Sequence, residues 1–156
     1  MTESEGKTLA ERYCSGAEHC YHEVCAMLER HNVEKEDVER ILEHLIREGY
    51  IDESRYARAL AHDKVRFAKW GRVKIAQALW QKRIPSDVAD AALATIDEDE
   101  YMTALKEVIK ARSRAVKGAT EFERKMKTMK AVCGRGYEPA LVRKVLDLAD
   151  DTDMNP

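Results

Sequence analysis

Cys14, His19, Cys20, His22 and Cys25 gather, near the start of a 156-residue chain, the sulfur and imidazole donors that a zinc ion takes. On a helix His22 and Cys25 share a face, but no Cys-x-x-Cys is matched by a His-x-x-x-His that would close a tetrahedron. Free thiols are therefore expected and no metal, the more so because the fourth cysteine, Cys133, stands far along the chain. Glu98, Asp99 and Glu100 offer carboxylates for acid and base work, yet acids opening a helix are what its free amides and dipole attract. The sequence holds no glycine-rich phosphate loop, nucleophile elbow or His-Glu-x-x-His, so neither catalysis nor a cofactor is expected. The best candidate for a binding surface is the stretch from Lys64 to Lys74, in which Lys64, Arg66, Lys69, Arg72 and Lys74 surround Trp70. Cations so placed suit phosphates or an acidic protein groove.

Net charge is only -2, but its distribution is uneven. Residues 1–54 carry 6 basic and 14 acidic side chains, and residues 55–83 carry 9 basic and one acidic. Residues 84–100 hold six acids and no base, residues 101–144 hold 12 bases and 4 acids, and residues 145–156 hold four acids. Two basic blocks between acidic ones could face an anionic partner while the acids turn elsewhere. Arg55, Lys64, Arg66, Lys69, Arg72, Lys74 and Lys82 are assigned to one such surface. Lys110, Arg112, Arg124, Lys127, Lys130 and Arg135 are assigned to a second.

Helices must carry these residues, because charged side chains make up 36% of the chain and glycine and proline are scarce. Val38, Ile41, Leu42, Leu45 and Ile46 form one apolar stripe, ended by Gly49, and Asp52 stands ready to cap the next helix, Glu53 to about Lys69. Tyr56, Leu60 and Phe67 mark the face of that helix expected to be buried. A helix over 72–82 follows, with Ile75 and Leu79 inward, and Pro85 opens one bearing Val88, Ala92 and Ile96. A long helix spans about 100–116, and after the break at Lys117, Gly118 and Ala119 two stripes follow. They are Phe122, Met126, Met129 and Cys133, then Leu141, Val142, Val145 and Leu146.

These segments repeat. Leu28 to Val33, Leu79 to Ile84 and Val132 to Tyr137 each set two apolar residues around four mostly polar or small ones, at offsets of 51 and 53. That spacing holds about three short helices per unit. The expected organisation is an all-α array of tandem three-helix units, curved and elongated. It has an N-terminal extension and lead-in helix at 1–19, repeats at 20–70, 71–118 and 119–150, the last one incomplete, and an acidic tail at 151–156. No apolar run would cross a bilayer and no secretory signal opens the chain, so a cytoplasmic location and no membrane contact are expected.

Gly49-Tyr50-Ile51-Asp52-Glu53-Ser54-Arg55-Tyr56-Ala57 resembles the Gly-Tyr-Leu-Asp-Asp-x-Arg-Phe-Ala signature of the RecX family. Gly71-Arg72-Val73-Lys74-Ile75, with Leu79 and Lys82-Arg83-Ile84, is similar to its second signature, and Gly136-Tyr137 resembles its last element. The resemblance covers about residues 8–150. It departs at Arg83, where the family usually has glycine, and at Cys20, where serine is common. Gly49, Tyr50, Asp52, Arg55, Tyr56, Gly71, Gly136 and Tyr137 are motif positions of structural character. The resemblance implies a monomeric regulator, not an enzyme, that binds the RecA recombinase filament in its groove. Such a regulator damps ATP hydrolysis, strand exchange and coprotease activity, with single- or double-stranded DNA as a further partner through the basic patches. A helical protein that binds nucleic acid without RecA is the alternative.

Overall fold

The computed structural model describes residues 1–146; the acidic tail expected at 151–156, and the last residues of the third repeat, lie outside them. All regular structure in the described residues is helical. In chain order the helices are α1 (Glu3–Gly16), α2 (Tyr21–Arg30), α3 (Lys35–Arg47), α4 (Glu53–Asp63), α5 (Arg72–Gln81), α6 (Ser86–Ala94), α7 (Glu98–Ala115), α8 (Glu121–Cys133) and α9 (Pro139–Val145). The chain divides into two compact units, one of Met1–Ala59 with Leu79–Ala92, the other of Leu60–Ala78 with the chain from Leu93.

In the first unit the lead-in helix α1 packs with α2 and α3 around one core. Ala10, Val24, Met27, Leu28, Val38, Ile41, Leu42 and Leu45 are buried in it, and Val33 and Ile51 close its ends. The α3 stripe is inward as its spacing requires, except that Ile46 is 51% exposed. Each fully buried aliphatic side chain stabilises the unit by about 1.5–3 kcal/mol. Asp52 caps α4 by accepting from the Arg55 amide at 3.0 Å. Cys20 precedes α2 and is buried, and its amide donates to the Glu23 carboxylate at 3.1 Å. Burial pushes the Cys20 thiol up to about 11, so it is a packed thiol and not a nucleophile.

The sequence repeat is a repeat of turns. Asn32, Arg83 and Gly136 occupy matching positions and all three have positive φ, at 59, 59 and 96°. Val33 and Ile84 then reach back to the carbonyls of Leu28 and Leu79 at 3.2 and 3.1 Å, the 6→1 bond of a Schellman helix end. Arg83 carries a Cβ in a region that costs a non-glycine residue about 1 kcal/mol. Arg83→Gly is therefore expected to raise the melting temperature by about 2–4 °C, since the relief outweighs the added freedom of the unfolded chain. A melting temperature equal to or below the parent's would show that Arg83 is relaxed by contacts of its own.

Two expected stripes are corrected. Phe67 is 75% exposed, because α4 passes at Lys64–Ala68 into a π-helical turn closed by Lys69 at φ 53°. Tyr56 is buried as expected, with Ala57 and Ala61, and Leu60 is half-buried; within the wider turn the phase changes, so that Val65 and not Phe67 faces inward. Phe122 and Met126 share a phase with buried Met129 but lie beyond the core: residues 111–115 of α7 and 121–124 of α8 are all exposed, so the ends of both helices at that loop stand clear of it.

Candidate partner interface

In the second unit the N-terminus of α5 is built against the turn between α8 and α9. The Gly71 amide donates to the Arg135 carbonyl and the Val73 amide to the Gly136 carbonyl, both at 2.9 Å. Between them, the Arg72 amide donates to Tyr101 Oη at 2.9 Å, and that hydroxyl donates in turn to Glu138. The Arg135 guanidinium donates to the carbonyls of Ala68 and Lys69, where the π-helical turn ends. Two motif segments recognised separately in the sequence thus form one clamp. It leaves no room for a side chain: a Cβ on Gly71 would lie 2.2 Å from the Gly136 carbonyl carbon.

The clamp decides which predicted contact residues are available. Arg72 lies over the Tyr101 ring at 3.8 Å, bonds Glu138 at 2.7 Å and pairs with Glu98. Burial acts against charge on Glu138, but the hydrogen bonds from Tyr101 and Arg72 outweigh it and hold the carboxyl below its usual range. Arg66 pairs with Glu100 at 2.9 Å and Lys69 with Glu107 at 2.6 Å. In the first unit Arg55 pairs with Glu18 at 2.7 Å and donates to the carbonyls of Gly49 and Tyr50, closing the end of α3, and Lys82 meets Glu23 at 3.3 Å. Arg124 and Lys127 donate to the carbonyls of Gly118 and Lys117 and brace the α7–α8 loop.

What the structure does bring together is Trp70 with two lysines. The ammonium groups of Lys64 and Lys74 each lie 4.5 Å from the centre of its ring. The same stretch exposes Phe67 and Val73. Lys110, Arg112 and Lys130 are exposed and form no ion pair among the described residues. Sequence reasoning missed Trp80, 78% exposed on α5 beside Gln81 and Arg83. Its place among polar positions of the repeat was the signal available. No three histidine, cysteine, aspartate or glutamate side chains converge as metal ligands among the described residues. His19 instead stacks on Tyr13 at 3.6 Å, and Cys25 donates to Glu29. No helix there is long and apolar enough to cross a membrane.

Residues 52–93, which hold α4, α5 and α6, match the family model described as RecX, second three-helix domain. The chain is 26% identical over 148 residues to the Regulatory protein RecX of Lactobacillus johnsonii, covering 95% of this chain and 55% of that one. It is 28% identical over 150 residues to the Regulatory protein RecX of Prosthecochloris aestuarii, covering 94% and 97%. It thus spans about half the length of the lactobacillar relative and nearly all of the other. The crystal structure of RecX from Lactobacillus salivarius shares the fold, with a TM-score of 0.82 at 18% identity over 94% of this chain and 97% of that one.

Proposed function

The chain belongs to the RecX family, and from that premise we propose that it binds the RecA recombinase filament and restrains its ATPase, strand-exchange and coprotease activities. It acts in the cytoplasm as a binding protein and not as an enzyme. The observation that carries this reading to a surface is the Lys64, Trp70 and Lys74 cluster with Phe67 exposed beside it in sequence. An aromatic anchor ringed by cations is the composition of an interface hot spot facing acidic protein. It suits nucleobases less well, because two ammonium groups already lie over the ring that a base would stack on. Lys110, Arg112 and Lys130 form the remaining available cations of the second basic surface.

The test is DNA-dependent ATP hydrolysis by the cognate RecA, titrated with the parent and with a Lys64→Ala, Phe67→Ala, Lys74→Ala variant. The parent is expected to inhibit well below one copy per RecA, and the variant to need about tenfold more, the equivalent of about 1.4 kcal/mol. No inhibition by the parent at any ratio, with salt-sensitive DNA binding in its place, would overturn the reading in favour of a nucleic-acid binder. Equal inhibition by parent and variant would keep the function and move the contact elsewhere.

A further inference from the structure

In the second unit, beside the clamp, one face of α7 lines a pocket of about 300 Å³ whose charges are not balanced. Val108, Ala111 and Ala115 follow one another at three- and four-residue spacing, so they stand on one face of the helix and form the apolar side of the pocket. Val108 is buried, while the two alanines are exposed and too short to fill the space before them. Charged side chains line the rest. Lys69 and Glu107 pair at 2.6 Å and cancel. Arg135 is held by the carbonyls of Ala68 and Lys69, which are neutral, so its charge stays uncompensated. Those bonds use its Nε and one terminal nitrogen and leave further N–H donors of the guanidinium to spare. Arg112 is exposed and forms no ion pair among the described residues. Three bases against one acid leave two positive charges in the pocket unmatched.

We propose that this pocket receives an acidic peptide segment of a protein partner, with carboxylate side chains on Arg112 and Arg135 and the chain between them against Val108, Ala111 and Ala115. Charge complementarity selects an anion, and a guanidinium group takes a carboxylate through two parallel hydrogen bonds. Glu107 selects peptide over phosphate. Its carboxylate has acceptor capacity beyond the bond to Lys69, and a peptide brings backbone N–H donors to meet it. The backbone of a nucleic acid brings no such donor, and its phosphates are repelled by Glu107. Arg135 contributes pre-organisation: two carbonyls already fix it, so little side-chain freedom is lost when the segment arrives. The pocket shares no residue with the Lys64, Trp70 and Lys74 cluster, so the inference goes beyond the proposed RecA contact and either can fail without the other.

Backbone amide shifts of the isotope-labelled full chain, followed by NMR at physiological salt during titration with acetyl-Ala-Asp-Ala-Asp-Ala-amide, test it. Saturable shifts centred on Val108, Ala111, Arg112 and Ala115 are expected, with a Kd of about 1 mM for so short a segment. The same peptide with asparagine in place of aspartate should bind about tenfold more weakly or not at all. Arg112→Gln, which removes one charge, and Ala111→Leu, which fills the pocket and removes none, should each weaken the acidic peptide by about tenfold. Both positions are exposed, so both variants should melt near the parent's temperature. Inorganic phosphate and single-stranded oligothymidylate are the competing probes, and each should move these amides less than the peptide does. Shifts scattered over the surface cations, equal binding of the asparagine peptide, variants that bind as the parent does, or a stronger response to either phosphate probe would each overturn the proposal.

Discussion

Gly71→Ala is expected to destabilise the protein by about 3 kcal/mol or more, lowering the melting temperature by about 6–12 °C. The added Cβ would fall 2.2 Å from the Gly136 carbonyl carbon and 2.3 Å from both the Gly136 oxygen and the Tyr137 nitrogen. These are backbone atoms, which cannot swing aside as the end of a flexible side chain could. To admit the methyl group, α5 must back away from the α8–α9 turn. That motion breaks the bonds of the Gly71 and Val73 amides to Arg135 and Gly136 and strands the Arg72 amide. Gly16→Ala is the matched control, because nothing lies within 4 Å of the position its Cβ would take. Urea or thermal unfolding of the two variants decides the matter: if Gly71→Ala melts within about 2 °C of the parent, the clamp is not as tight as described.

Arg72→Ala is expected to cost about 2–3 kcal/mol, and Arg72→Lys most of that, although lysine keeps the charge. The guanidinium is planar against Tyr101 while its two nitrogens serve Glu138 and Glu98. Glu98 is largely exposed and contributes little, so most of the loss comes from Glu138 and from the ring face. A lysine ammonium can meet one carboxylate but cannot stack and fork at the same time. If Arg72 served as a contact for a partner and not as part of the clamp, Arg72→Lys would keep the parent's unfolding midpoint. Equilibrium unfolding of both variants separates these roles without any binding assay.

The helical class, the α3 stripe, the Asp52 cap and the recurring turn were all legible in the sequence, because each rests on residues within a few positions of one another. Asn32, Arg83 and Gly136 show how far local reading reaches: the repeat marked their positions, and the backbone there turns left-handed whichever residue stands there. Phe67 was misplaced because counting at 3.6 residues per turn assumes an uninterrupted α-helix, which the π-helical turn interrupts. Phe122 and Met126 were misplaced for a different reason, since their phase is right and the core stops short of them. The charge blocks located the cations but could not say which were occupied. Glu98, Glu100, Glu107 and Glu138 lie 26 to 66 residues from the bases they satisfy, and no local pattern pairs them.

A polypeptide leaves the ribosome N-terminus first, and the clamp ties Gly71 to Arg135. The bundle of α1, α2 and α3 is complete once Ile51 has emerged, so it can close while translation continues. At that stage the beginning of α5 has no cap, and its amides at 71, 72 and 73 must wait for about sixty more residues before Arg135, Gly136 and the hydroxyl of Tyr101 can all take them up. Birth of this protein is therefore vectorial in two acts. Until the second closes, the nascent chain carries an open helix end into the crowded space around the ribosome.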